Sequence, residues 1–304
     1  MRDDGGHVLG RVEGATHGPL VVLLGGMHGN EPAGVMAVRR CFGQLAEAGS
    51  DAVRKGRLLG LLGNPEAFRR GVRQVDEDLN RAFVPERMAQ AVGEGGTQTV
   101  EGAFAKTLYA LLRAEVAAYR PTEVILLDLH TTSADGGDFV VLGDGPGGEA
   151  LTRDLGVPVV LGLTGVLTGT LCGYLNAERL GVPTRAFAYE AGAHDGPESP
   201  GRAFALAAAL LARIRVVRTG VLDIDGVDLD AEPGRPPLTR VVFRLAIAPG
   251  SAFAMMPGFR NFDAVQAGQV VAVLDGESVA LERGGYMLMP LYQGEGRDGF
   301  FLVE

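Results

Sequence analysis

His28 and Glu31 stand three residues apart in GGMHGNEPAG (25–34), directly after the apolar run VVLL (21–24). Imidazole nitrogen and carboxylate oxygen are both good zinc ligands, and the flanking glycines let the backbone turn tightly enough to aim both at one point. A helix N-terminus that merely welcomes an acidic residue would carry the same pair, so these two do not define a site alone. DLHTTS (128–133) adds His130 at the end of the most apolar strand candidate, EVILLDLH (123–130). In open α/β sheets, ligand sites gather at the carboxyl ends of parallel strands, where His28 and His130 both fall. Two histidines and a carboxylate make the three-ligand set of a catalytic zinc centre, which keeps a fourth position for water. Asp128 precedes His130 by two residues on the same strand face, placed to orient the imidazole.

Glu190, in YEAG (189–192), closes another apolar strand candidate, RAFAYE (185–190). A carboxylate there is costly unless it is solvated or functional. Beside a metal-activated water it could take a proton and return it to a leaving amine. His194 reads as a surface-loop residue. In NPEAFRRGVRQVDEDLNR (64–81), Arg69, Arg70, Arg73 and Arg81 cluster within an acidic chain. The rigid guanidinium fork suits carboxylates, which points to a small anionic substrate. For Arg69 and Arg70 the preferred reading is a solvated loop, paired among Asp76, Glu77 and Asp78.

These residues need a scaffold. Apolar runs at 21–26, 57–63, 123–130, 138–143, 157–163 and 185–190 read as strands covered on both faces. Helical periodicity spans roughly 32–48, 100–119, 147–156 and 199–217, with Pro32 and Pro200 in first turns. The alternation predicts an α/β fold with a largely parallel sheet. After residue 217 the helical patterns give way to short strands punctuated by EPGRPP, APGS, MPGF, LDGE and GEGRDG. Residues 1–217 are therefore expected to form one domain and 218–304 a small all-β domain.

Composition narrows the field. The 304 residues hold 28 Lys plus Arg against 37 Asp plus Glu, a formal charge of −9, which argues against nucleic-acid or anionic-membrane partners. Only Lys55 and Lys106 could serve lysine-based covalent chemistry. Cys41 and Cys172 form neither a disulfide framework nor a thiolate metal site. The start lacks a secretory signal and no stretch is apolar enough to span a membrane, so a cytoplasmic protein is the expectation. GDGPGG (143–148) matches a dinucleotide-binding fingerprint, but residues 155–177 lack the acidic partner that fingerprint needs, and a turn is preferred. DIDGVDLD (223–230) likewise reads as a turn rather than a calcium loop. No GxSxG elbow is present to carry a serine nucleophile.

GGMHGNE, NPEAFRRGVRQVDEDLNR, DLHTTS and YEAG, in that order, resemble the succinylglutamate desuccinylase/aspartoacylase family of zinc-carboxypeptidase-like amidohydrolases. MMPGFRNFDAVQAGQVVAVLDG and LMPLYQ resemble that family's appended β domain, so the likeness runs along nearly the whole chain. The resemblance implies a zinc-carboxypeptidase-like mixed, largely parallel sheet with helices on both faces, plus a small C-terminal all-β domain. It implies one zinc ion per chain on His28, Glu31 and His130, with Glu190 as the catalytic glutamate. Arg73 would polarise the scissile carbonyl, and Asn80 and Arg81 would grip a substrate carboxylate. The implied activity is hydrolysis of the amide bond of a small N-acyl amino acid, not of a peptide. The alternative is a catalytically inactive, metal-binding or ligand-sensing relative. Arg179 and Tyr174 are loose counterparts of further substrate-binding residues, and GEGRDGFFLVE has no tyrosine where such enzymes supply one. Which acyl group and amino acid are taken, and whether identical chains associate, stay open.

Overall fold

The computed structural model describes residues 6–90, 99–143, 147–152, 155–224, 229 and 235–304. Fourteen strands are described: β1 (Val8–Glu13), β2 (Thr16–Gly25), β3 (Lys55–Leu62), β4 (Val124–Thr132), β5 (Phe139–Leu142), β6 (Val159–Leu161), β7 (Thr184–Ala193), β8 (Leu238–Ala246), β9 (Phe253–Met255), β10 (Ala264–Val265), β11 (Val270–Leu274), β12 (Glu277–Ala280), β13 (Gly285–Leu288) and β14 (Asp298–Val303). The helices are α1 (Pro32–Ala48), α2 (Pro65–Arg70), α3 (Pro85–Ala89), α4 (Val100–Tyr119), α5 (Gly148–Thr152), α6 (Leu163–Val166), α7 (Leu171–Tyr174), α8 (Ala177–Leu180) and α9 (Ser199–Arg213), with a short 3₁₀ turn at Leu79–Arg81.

Eleven strands form one mixed sheet in the order β1-β3-β2-β4-β7-β5-β6-β8-β14-β13-β10. Its centre, β3-β2-β4-β7, is parallel. The near-continuous apolar runs are explained by burial on both faces. Along β2, Val21 and Leu23 point to the face covered by α1 and α9, in a core with Val38, Cys41, Phe204 and Leu210. Leu20, Val22 and Leu24 alternate to the other face, packed with Leu108 and Leu112 of α4. Each such side chain contributes roughly 1.5–3 kcal/mol by leaving water. Two glycines permit close approaches that position the site. A Cβ at Gly34 would lie 2.5 Å from the Leu129 carbonyl, so α1 can press against β4 only without one. A Cβ at Gly29 would lie 2.1 Å from the Ala67 backbone, where the His28 turn rests on α2.

The α/β class with helices on both faces is borne out, and a separate three-stranded sheet, β12-β11-β9, lies in the C-terminal region. The main sheet does not stop at the last helix. β8 pairs in parallel with β6, and β14 then pairs antiparallel with β8. The helix expected over 147–156 is described only as α5, and the one over 199–217 ends at Arg213. Residues 144–146 of GDGPGG and 225–228 and 230 of DIDGVDLD lie outside the described residues, so both turn readings rest there on sequence alone.

Candidate active site

Three carboxyl ends of parallel strands meet at one place. β2 leads through Gly25 and Gly26 to His28, while β4 carries His130 beside Glu190 of β7, its register partner. Glu31 occupies the N-cap position of α1 but makes no capping bond with its side chain. Its carboxylate turns to the histidines instead: Oε1 lies 2.7 Å from His28 Nδ1 and Oε2 lies 3.0 Å from His130 Nδ1. The Thr131 backbone N–H also donates to Oε2, at 3.2 Å. One ligand atom from each of His28, Glu31 and His130 falls within 4.8 Å of the other two, and all three side chains are buried.

The far side of each ring faces another carboxylate. His28 Nε2 lies 3.1 Å from Asp78 Oδ1, and His130 Nε2 lies 3.0 Å from Asp128 Oδ2. Both Nδ1 atoms thus point inward while both Nε2 atoms are flanked by acids, the arrangement by which outer carboxylates fix metal-binding imidazoles. The donor set of two imidazoles and one carboxylate, already converged, fits zinc. The charges support one another. Burial pushes the Glu31 carboxyl up, but His28 and His130 override it and hold Glu31 well below the usual range. Burial likewise opposes ionisation of Asp78, which His28 and Arg73 keep well below its ordinary value. Burial lowers His130, yet Asp128 and Glu31 raise it well above the normal imidazole range.

Glu190 behaves in the opposite way. Burial pushes its carboxyl up to about 8; His130 opposes the shift, while Glu31 and Asp128 add to it. Its Oε2 is buried without a hydrogen-bond partner among the described residues. Below about pH 8 the folded chain keeps a proton there that the unfolded chain gives up from the ordinary carboxylate range onward. Stability contributed by that group is therefore lost as pH rises through this window. The metal-free Glu190→Gln variant should exceed wild type in stability by roughly 3–5 kcal/mol at pH 9, with the gap closing towards pH 4. Thermal melts at the two pH values check this, and identical curves at both would contradict it.

Arg73 reaches the trio from the loop after α2. Its Nη2 lies 3.0 Å from His28 Nε2 and 2.9 Å from Asp78 Oδ2, and its Nη1 lies 3.6 Å from Glu31 Oε1. Buried Glu101, near the start of α4, holds this loop. It accepts from the backbone N–H groups of Val75, Asp76 and Glu77 and from the Asn64 side chain. Asn80 Oδ1 accepts from Leu171 N–H, at 3.0 Å. Arg81 Nη2 donates to Asp298 Oδ2 at 2.7 Å, and its Nη1 donates to the Asn80 carbonyl. All seven candidates from the sequence line one cavity of about 570 Å³. Met289, Leu291, Gln293 and the Glu295–Asp298 stretch of the C-terminal region complete its wall.

Several readings need correction. His194 is no surface-loop residue: it is half-buried on the cavity wall, 2.7 Å from Thr131 Oγ1 and 3.2 Å from Gln293 Oε1. β7 continues past Glu190 to Ala193 and carries His194 to the site, and the polar AGAHDG following the strand hides that extension. Arg69 and Arg70 are exposed as expected, but both pair with Glu66 on their own helix, at helical spacings of three and four. Asp78 is no solvated acid: it is largely covered, between His28 and Arg73, two residues before Asn80. Glu101 and Asp298 carried no local signal. Arg179 stacks on the Tyr174 ring at 4.3 Å, and neither is among the cavity-lining residues.

Residues 17–146 match the succinylglutamate desuccinylase/aspartoacylase catalytic domain. A probable aspartoacylase of Nostoc sp. is 34% identical over 126 residues, 41% of this chain and 39% of that protein. An N-acyl-aromatic-L-amino acid amidohydrolase (carboxylate-forming) of Xenopus laevis is 33% identical over 126 residues, 40% of this chain and 37% of that protein. The chain thus spans about two fifths of the length of these curated relatives. A crystal structure of a succinylglutamate desuccinylase/aspartoacylase from Rhodobacter sphaeroides has the same fold, with a TM-score of 0.67 and 20% identity, over 97% of this chain and 87% of that one.

Proposed function

From residues 17–146, which belong to the succinylglutamate desuccinylase/aspartoacylase family, we propose that this chain is a zinc-dependent hydrolase of a small N-acyl amino acid. The observation that carries the reading is the buried His28–Glu31–His130 trio opening, with Glu190 and Arg73, into one cavity. Residues 1–217 would form the catalytic unit and 218–304 the part that limits entry. His28, Glu31 and His130 would hold the ion, with Asp78 and Asp128 fixing the two rings. A bound zinc lowers the pKa of water towards roughly 7 and polarises an acyl carbonyl.

This chain's own residues do the rest. Asn80 and Arg81 grip the substrate carboxylate and set the acyl group before Glu190. As a new C–O bond forms from water to the acyl carbon, Glu190 accepts the water proton. It passes that proton to the nitrogen as the C–N bond breaks, so the amine leaves neutral. The carboxylic acid formed then gives up water's second proton to the amine, leaving a carboxylate and an ammonium. The Arg73 guanidinium stabilises negative charge on the carbonyl oxygen. Supporting this assignment, the Glu190 carboxyl opens into the same cavity as the trio, with its Oε2 without a hydrogen-bond partner among the described residues.

Metal analysis of the purified protein should find one zinc per chain. Exhaustive chelation should abolish release of free amine from a panel of N-acyl amino acids, and stoichiometric zinc should restore it. A fully active, metal-free preparation would remove the proposal. No described helix is long and apolar enough to cross a membrane.

A further inference from the structure

Arg81, the residue assigned to a substrate carboxylate, already holds a carboxylate of its own chain. Asp298 opens β14 and lies between two guanidinium groups: Oδ2 accepts from Arg81 Nη2 at 2.7 Å, and Oδ1 accepts from Arg244 Nε at 2.6 Å. Arg244 stands on β8, the strand paired with β14, and its Nη1 is anchored to the Val166 carbonyl at 2.7 Å. The Asp298 side chain is only 13% exposed, so water screens this cluster weakly. Asp298 and Arg81 line the cavity, whereas Arg244 stands behind them. Two cations and one internal anion leave this end of the cavity with a single net positive charge. Around the rest of the wall six carboxylates stand against Arg73, Arg87 and Arg297. Arg73 pairs with Glu31 and Asp78 and Arg87 with Glu77, so the balance there is negative and does not favour a second substrate anion.

We propose that Asp298 is a specificity-determining residue: by bridging Arg81 and Arg244 it leaves one net positive charge, so the site takes an amino acid with one carboxylate and disfavours one with two. This rests on the reading of Arg81 given above and narrows its substrate class to N-acyl amino acids with an uncharged side chain. Wild-type discrimination follows from repulsion, because the second carboxylate of a dicarboxylic substrate meets Asp298 rather than a free guanidinium. Replacing Asp298 by a neutral amide of the same shape leaves two guanidinium groups facing it and raises the net charge to two.

The test uses aspartate and asparagine, the amine products that differ by that one charge, titrated calorimetrically into the zinc-loaded protein. Wild type should bind asparagine more tightly. Asp298→Asn should shift the affinity ratio towards aspartate by about tenfold. Arg244→Gln leaves the cavity wall intact and lowers the net charge to zero, so it should weaken asparagine binding by about the same factor. It also decides the matter if Asp298→Asn does not fold. An unchanged ratio in Asp298→Asn, equal loss of both ligands, binding of neither ligand to any form, or unaltered asparagine binding in Arg244→Gln would overturn the proposal. Hydrolysis of the N-acetyl derivatives, assayed in parallel, separates the two readings. A shifted binding ratio without amine release would retire the deacylase and keep the role of Asp298.

Discussion

Glu190→Gln should retain zinc and substrate while losing nearly all turnover. The amide keeps the size of the carboxyl group and part of its hydrogen bonding, but it cannot accept a proton. Removal of a general acid–base group costs about a hundred- to ten-thousandfold in rate. The upper part of that range is expected here, because in the proposed mechanism one group would serve both proton transfers and the departing nitrogen would otherwise leave as a strongly basic anion. The cavity offers few substitutes: Asp78 and Glu31 are held well below the carboxylate range and are poor bases at neutral pH. His194 has its imidazole pKa lowered by burial, and both of its nitrogens already face Thr131 and Gln293. The measurement is steady-state amine release beside zinc content and substrate affinity. A variant turning over at the wild-type rate would end the role of Glu190 as the proton carrier.

Arg73→Ala and Arg81→Ala should fail in different ways. Arg73 is buried beside the His28–Glu31–His130 trio, against His28, Asp78 and Glu31, where its charge would meet one that develops only during the proposed reaction. Its loss should lower kcat by about a hundredfold, the scale of one oxyanion contact worth roughly 3 kcal/mol, with a smaller effect on KM. Arg81 stands further along the cavity, on Asp298, where it would hold a charge the substrate carries before and after reaction. Its loss should mainly raise KM, because the contact is the same in ground and transition states. If both variants altered only KM, Arg73 would lose its place beside the carbonyl oxygen. Since Arg73 also balances Asp78 and Glu31, zinc content must be measured in the same preparation.

What the sequence disclosed and what it withheld follow from the range of the interactions. Helix α1 was legible to both ends, because Pro32 and the apolar periodicity from Val35 to Leu45 are local signals. The strand leading to His28 and the strands carrying His130 and Glu190 were legible because burial on both faces leaves long apolar runs. The trio could be grouped because parallel strands deliver their carboxyl ends to one edge. β1 was missed: VLGRVE is an antiparallel edge strand with a half-exposed pattern and a register irregularity between Val8 and Gly10. Glu101 and Asp298 were missed for a different reason. Each meets its partners across at least 24 residues of chain, the Arg81–Asp298 pair across 217, and no spacing rule connects such positions.

The parallel ladder from β6 to β8, and from there to β14, has a consequence for how this molecule can acquire new preferences. The residue that sits on Arg81 is the first of a strand tied by backbone hydrogen bonds to the same sheet that presents the histidines. A tail taken from another protein could not be grafted here as a cassette, because it would have to reproduce the pairing of Leu238, Thr239 and Arg240 with Val159, Val160 and Leu161. Register is strongly specified where one face of a sheet is covered, since a slip of one residue turns every inward side chain outward. Divergence at this end of the cavity is thus confined to single exchanges at strand starts such as position 298, where chemistry can change while the ladder stays in step.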